Sequence, residues 1–393
     1  MRSQSKAFLI VGSILVVAAL LGACGTATPT PAPTTAPATE AMAESPTAMM
    51  AETQAATAAP AGKIAILLPE TKTARYESQD LPNFKNKLQA LGYNLNDLIY
   101  SNANQDAAAQ QQQAEAAITN GATVLVLDPV DGAAAATIAD FAHSKNVAVI
   151  SYDRLILNTA NVDYYISFDN VQVGKLQATS LMTALQGIAK PTIVMINGSP
   201  TDNNATLFKQ GAHSVFDPIV AAGNLVIAKE YDTPDWSPDQ AQTEMSQALT
   251  ALNNKVDGVY CANDGTASGA IAAMVAAGVT PWPPVTGQDA ELAAIQRILV
   301  GQQYMTVYKA IKPEAEAAAE LAYDLWSGTA VPAAMTNGLT TNNGTADIPS
   351  IILTPVAVTK DNIESTVVAD GFWTVQEICT ADFAAACQAA GVK

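Results

Sequence analysis

The sequence predicts an α/β protein made of two doubly wound domains, each a parallel sheet with helices on both faces. Three observations predict this. From Lys63 onward, short β-branched or aliphatic runs alternate with helical stretches rich in Ala, Gln, Glu and Lys, the pattern of βαβ units. The runs number about ten, more than one sheet carries comfortably. The chain has 393 residues and 49% hydrophobic content, enough for two cores.

Taken in order, strands are expected over 64–68, 123–127, 147–151 and 164–167. More follow over 192–196, 225–229, 258–261, 285–287, 305–307 and 351–356. Helices are expected over 81–91, 106–120, 133–144, 171–185, 204–222, 237–253, 266–277, 290–300 and 312–327. Gly92, Gly121 and Gly278 stand just past helices, where a left-handed cap is wanted.

Ahead of this body lies a leader. Arg2 and Lys6 form a positive n-region, and Ala7 to Ala23 is almost wholly apolar. It ends in Leu21-Gly22-Ala23-Cys24, small residues leading into a cysteine. Residues 1–23 therefore read as a signal peptide with a lipobox. The Cys24 thiol is expected to carry a diacylglycerol that anchors the chain outside the cytoplasm, on the outer face of a membrane. The rival reading is an uncleaved transmembrane helix. A run of about 17 apolar residues is at the short limit for spanning, and no basic cluster follows it. Residues 24–62 are the lipidated cysteine and a Thr/Ala/Pro linker without aromatics. Such a segment is expected to stay disordered, a leash averaging about 35 Å end to end.

The net charge is -17, and it becomes more negative once Arg2 and Lys6 leave with the leader. With no basic stripe, the chain is a poor partner for nucleic acid or an anionic membrane surface. Cys261 sits in an apolar strand-like run and reads as buried. Cys379 and Cys387 lie near the C-terminus. On one continuous helix their Cα atoms would be about 12 Å apart, too far to bridge. A disulfide needs a turn around residues 380–382; the alternative is two free thiols on the last helix.

In open α/β sheets, ligands bind beyond the carboxyl ends of the strands. The residues there are Thr73-Ala74-Arg75-Tyr76, Tyr152-Asp153-Arg154, Phe168-Asp169-Asn170 and Gly198 to Asn204. Then come Asp232 to Trp236, Asn263-Asp264, Gln288-Asp289 and Tyr308-Lys309. The set is rich in Asp, Asn and Arg with interspersed aromatics. Planar carboxylate, amide and guanidinium groups can grip two neighbouring hydroxyls at once. Aromatic faces suit the C–H face of a sugar ring. Together they describe a carbohydrate pocket between two domains. Taken singly, an Asp or Asn after a strand is more often a helix N-cap; Asp169-Asn170 reads as a cap and hinge, and Trp236 could be a surface staple beside Pro238.

Catalytic patterns are absent from the sequence. His143 and His213 fall within expected helices without motif partners, and there is no nucleophile elbow or phosphate-binding glycine loop. Asn263-Asp264-Gly265 lacks the alternating acidic ligands of a calcium loop. No catalytic residue, cofactor or metal is expected, and 339–346 reads as an exposed Thr/Asn-rich loop.

At these loops the sequence closely resembles the periplasmic D-xylose-binding proteins of ABC importers, within the ribose/galactose-type sugar receptor family. The resemblance runs from Lys63 to about Trp373. Its specific strings are Ser151-Tyr152-Asp153-Arg154, Asp163 to Asn170, Gly198 to Asn204, Asn263-Asp264, Gly287 to Ala290 and Met305 to Lys309. The resemblance implies the type I periplasmic-binding-protein fold: two Rossmann-like domains joined by a three-crossover hinge around one monosaccharide. The N-terminal sugar-binding domain would comprise 63–169 plus 308–352, and the C-terminal one 170–307 plus 353–393. It implies that Arg75, Asp153 and Arg154 bind sugar hydroxyls from the first domain, and Asp202, Asn204, Asn263 and Asp289 from the second. Lys309 would lie at the second crossover, and Tyr76 and Trp236 would sandwich the ring. Tyr76 departs from the family, which carries Trp there, and this bears on the strictness of the xylose preference. The C-terminal extension with Cys379 and Cys387, the linker and the anchor also depart from soluble members.

The expected function is capture of a monosaccharide, D-xylose first, and delivery to a membrane ABC permease by a monomeric receptor that is not an enzyme. Rival readings are a receptor for glucose, ribose or another monosaccharide, a sugar-sensing module feeding a signalling receptor, and a sugar-processing enzyme.

Overall fold

The structure, a computed structural model, describes residues 62–393. The leader, Cys24 and the linker up to residue 61 lie outside the described residues.

The body holds two α/β lobes. The described residues form twelve strands: β1 (Lys63–Leu68), β2 (Ile99–Asn102), β3 (Ala122–Leu127), β4 (Ala148–Tyr152), β5 (Tyr164–Phe168) and β6 (Thr192–Asn197). They continue with β7 (Val226–Asp232), β8 (Gly258–Cys261), β9 (Met305–Tyr308), β10 (Thr340–Asn342), β11 (Asp347–Leu353) and β12 (Val356–Thr359). The first lobe's sheet runs β10-β11-β5-β4-β3-β1-β2. It is parallel except for β10, which pairs antiparallel with β11. In the second lobe β7-β6-β8 form a parallel sheet and β9 pairs antiparallel with β12. Bridges from Val259 to Val285 and from Gln288 to Val307 stitch these two pieces together through residues 285–288.

Alternation along β1 explains why both sheet faces need cover. Ile64, Ile66 and Leu68 join one core with Phe84, Leu88, Ala318 and Ala322, whereas Ala65 and Leu67 join another with Ala114, Ile138 and Ala142. Successive side chains point to opposite faces, so a parallel sheet with apolar runs requires helices on both sides. In the second lobe Ile193 and Met195 pack on one side of β6, and Val194 and Ile196 on the other.

The helices begin where the caps place them. Asp106 accepts from the amides of Ala108 and Ala109 ahead of Ala107–Thr119. Asn263 and Thr266 form a reciprocal capping box ahead of Asp264–Ala277. Gly278 closes that helix at φ 64°.

The chain crosses between lobes three times. It crosses from β5 into Asn170–Ala184, from β9 into Ile311–Ser327, and from β11 into β12. The last crossing corrects the expectation of one strand over 351–356. Leu353 ends β11 beside β5, and Val356 begins β12 beside β9, with Thr354 and Pro355 between them; proline's missing N–H makes it a natural break in a ladder. Two strands were not anticipated, β2 and β10. Residues 339–346, expected as an exposed loop, instead contain β10 and the buried Asn343, whose amide donates to the carbonyls of Ile156 (3.1 Å) and Thr159 (2.7 Å).

The C-terminal extension is packed. Ile363, Val367, Phe372, Ile378 and Val392 share a core with Ile295, Ile298 and the crossover residues Phe168 and Tyr308. Cys379 and Cys387 are disulfide-bonded with Cα atoms 5.9 Å apart. This is possible because the chain turns between the short helices Val375–Ile378 and Ala384–Ala390. Cys261 is fully buried and free.

Candidate functional site

The carboxyl ends of both sheets face each other around a small polar cavity of about 20 Å³. All ten side chains singled out in the sequence line it: Arg75, Tyr76, Asp153, Arg154, Asp202, Asn204, Trp236, Asn263, Asp289 and Lys309. Thr73, Phe208 and Gln288 line it as well. Phe208 and Thr73 left no separable signal, since an aromatic inside a helix pattern reads as core and a loop Thr as a turn. Gln288 stood in a strand-end loop but carries no charge to single it out.

Ion pairing organises the walls. The Arg75 guanidinium is gripped from behind: Nε donates to Asp80 (3.0 Å), and Nη2 donates to Asp80 (2.6 Å) and Glu314 (2.8 Å). Its Nη1 reaches Asp153 at 3.4 Å and stands 4.0 Å from Asp289. Lys309, carried just past β9, lies 3.3 Å from Asp289 and 3.6 Å from Asp153. Arg154 sits among Asp202 (3.2 Å), Glu70 (3.6 Å) and Asp128 (3.7 Å). Asp80, Glu314, Glu70 and Asp128 were not anticipated as part of this network.

Seven buried carboxyls (Glu70, Asp80, Asp128, Asp153, Asp202, Asp289 and Glu314) therefore surround three buried cations. The crowding shifts the carboxyls in opposite directions. Burial pushes the Asp128 and Glu314 carboxyls well above the usual range against the pull of Arg154 and Arg75, and raises Asp202 too. Burial acts the same way on Asp153, but Arg75, Lys309 and Arg154 outweigh it and hold that carboxyl below the usual range. Beside the cavity, burial lifts Asp264 to about 7 and Glu291 to about 8; Arg297 opposes the first shift, while Asp264 and Asp289 add to the second.

Several expected ligand groups also serve the fold. Asp202 caps the helix Asn203–Ala221 and accepts from Trp236 Nε1 (3.1 Å). Asn263 caps Asp264–Ala277 through its side-chain oxygen. Asn204 donates to the Asp153 carbonyl (3.0 Å) and accepts from Asn170 (2.8 Å), tying the lobes together. Asp169 caps Asn170–Ala184, in keeping with its reading as a cap and hinge.

The aromatic walls differ from each other. Trp236 is buried, not a surface staple, and packs edge-on to Phe208 with ring centres 6.3 Å apart. A Cβ on Gly198 would fall 1.9 Å from its ring, so glycine there makes room for the indole. Tyr76 lies with Arg75 and Arg154 5.2 and 5.7 Å from its ring centre, and its hydroxyl donates to Asp153 (3.0 Å).

Asp153, Trp236 and Asp289 adopt left-handed φ of 52°, 52° and 92°. Such conformations cost on the order of 1–3 kcal/mol each and persist where the surroundings over-determine them. Here they aim three cavity side chains. Among the described residues no cluster of His, Cys, Asp and Glu is arranged to hold a metal ion.

Residues 64–330 match the family model described as "Periplasmic binding protein domain". The chain is 40% identical to the D-xylose-binding periplasmic protein of Escherichia coli K12, over 80% of this chain and 92% of that protein. It is 35% identical to the multiple sugar-binding periplasmic receptor ChvE of Rhizobium radiobacter, over 82% of this chain and 94% of that one. The structure superposes on a carbohydrate transporter solute-binding protein from Chloroflexus aurantiacus, solved with D-glucose. The TM-score is 0.73 and the identity 33%, covering 80% of this chain and 97% of that one. With the fold, the cleft between lobes and these matches in agreement, the chain belongs to the periplasmic binding protein family.

Proposed function

We propose that this chain captures a monosaccharide, D-xylose first, in the cavity between its lobes and delivers it to an ABC permease. The observation that carries this reading is the meeting of ten polar and aromatic side chains, drawn from both lobes, around one cavity. Arg75, Asp153 and Arg154 grip hydroxyls from one side, and Asp202, Asn204, Asn263 and Asp289 from the other, with Lys309 at the second crossover. Trp236 covers one face of the ring. The lobes, 63–169 with 308–352 and 170–307 with 353–393, act as two bodies that close on the sugar. A sugar lacking a matching hydroxyl leaves a buried polar group unpaired, at roughly 1–3 kcal/mol each. The chain is a receptor without catalytic activity, held outside the cytoplasm by a lipid on Cys24.

Isothermal titration calorimetry with D-xylose tests the reading. Saturable heat is expected; none at millimolar sugar, with the protein folded, refutes it. A second reading, a hexose such as glucose, draws on Tyr76 in place of the family's Trp and on the glucose held by the Chloroflexus relative. Competition between xylose and glucose separates the two.

A further inference from the structure

Gln288 stands at the cavity wall, 3% exposed, with a buried carboxamide oxygen that has no hydrogen-bond partner. Its backbone is clamped. The Gln288 carbonyl accepts from the Asp264 amide (2.9 Å), and its neighbours Gly287 and Asp289 each bond to Val307 at 2.9 Å. A Cβ on Gly287 would fall 2.0 Å from Asp264 Oδ1, so the glycine lets this segment lie flush against the buried carboxyl.

In an extended strand, side chains 288 and 289 would point to opposite faces. Here Asp289 and Ala290 adopt φ of 92° and 50°. The strand ends in a left-handed turn, the alternation stops, and both Gln288 and Asp289 line the cavity. Asp289 Oδ1 is buried too and accepts no hydrogen bond, with the Lys309 ammonium 3.3 Å away as its ion-pair partner. Two consecutive residues thus present acceptors to the cavity: Gln288 Oε1 has no partner, and Asp289 Oδ1 is ion-paired but accepts no hydrogen bond. Buried acceptors are almost always paired, and a sugar hydroxyl is a donor that can pair with Gln288 Oε1.

We propose that Gln288 is a specificity-determining contact of this receptor. Its carboxamide oxygen accepts one hydroxyl proton of the sugar while Asp289 accepts from the neighbouring hydroxyl, selecting ligands with a vicinal diol at that position. The proposal rests on the cavity being the monosaccharide site. Gln288→Met keeps the side chain's length and removes the amide.

The test is calorimetry of wild type and Gln288→Met with D-xylose and its 2-, 3- and 4-deoxy analogues. The variant should bind D-xylose about tenfold more weakly. For one analogue only, the one lacking the partner hydroxyl, variant and wild type should bind alike. A wild-type affinity for D-xylose in the variant, or an equal loss with all four sugars, overturns the assignment. If wild type binds none of these sugars, the reading of the site fails instead, and the Gln288 contact with it. Should the variant not fold, a sugar-bound structure of wild type decides. It should place the Gln288 amide within about 3.2 Å of a sugar oxygen, and an amide without such a contact overturns the proposal.

Discussion

Replacing Arg75 by Met should cost stability in a way that depends on pH. The guanidinium makes three hydrogen bonds to Asp80 and Glu314 and a fourth, longer one to Asp153, all buried. Methionine fills much of the same space and leaves these carboxyls without their cation. Removing one partner of a buried pair costs about 3–5 kcal/mol. At about 2–4 °C per kcal/mol for lobes of this size, Tm should fall by about 10 °C. Without the cation, Asp153 loses the largest charge holding its pKa down, and the already raised Glu314 carboxyl is raised further. Both shifts favour protonation in the folded variant, so its deficit relative to wild type grows as pH rises. Wild type behaves oppositely at Asp153, whose depressed pKa gives stability that is lost as pH falls. The deficit should therefore be smaller near about pH 4 than near about pH 8. Thermal unfolding followed by circular dichroism at both pH values measures it. A deficit below about 1 kcal/mol, or one equal at both pH values, refutes the view that Arg75 stabilises the charged forms of Asp153 and Glu314.

Asp289→Ala should weaken D-xylose binding roughly ten- to 150-fold, since a hydrogen bond to a charged group is worth about 1.5–3 kcal/mol; calorimetry showing unchanged affinity removes Asp289 from the site. Asp264 and Glu291 have folded pKa values of about 7 and about 8, raised above their unfolded values. They favour the folded state in acid, so stability should decline as pH rises from about 4 through about 8. The double variant Asp264→Asn, Glu291→Gln should flatten that decline, and an unaltered slope in urea titrations across this range assigns it elsewhere. Breaking the Cys379–Cys387 bridge with Cys387→Ser should cost about 2.5 kcal/mol, from the entropy of the short loop it closes. Chemical denaturation should show that loss, and none at all would mean that the extension's apolar packing alone holds the C-terminus.

Much of the molecule was legible in the sequence because local rules and tertiary demands agree there. Apolar runs such as 64–68 and 192–196 form strands since both faces are buried by helices written into the same pattern. Strand ends carrying Arg75, Asp153, Asp202 and Asp289 meet at one cavity because parallel strands all present their carboxyl ends to the same side. What stayed hidden lacked a local signal. The strand β2 is half-buried, and β10 is three residues long with polar side chains. The break at Thr354 and Pro355 is visible only once two sheets compete for the flanking residues.

The sequence by itself determined the α/β class, the order of the elements and the side chains at the strand ends, since periodicity and residue chemistry are properties of the chain. Only the tertiary structure decided how those side chains divide their work. Asp80 and Glu314 grip Arg75 across 5 and 239 residues of sequence, a pairing no local pattern encodes. Tyr76 is flanked by two guanidiniums and spends its hydroxyl on Asp153, and Gln288 is left with an unsatisfied oxygen. Desolvation and long-range ion pairing set these roles. Both depend on what surrounds a group in space, which exists only after the two lobes have come together.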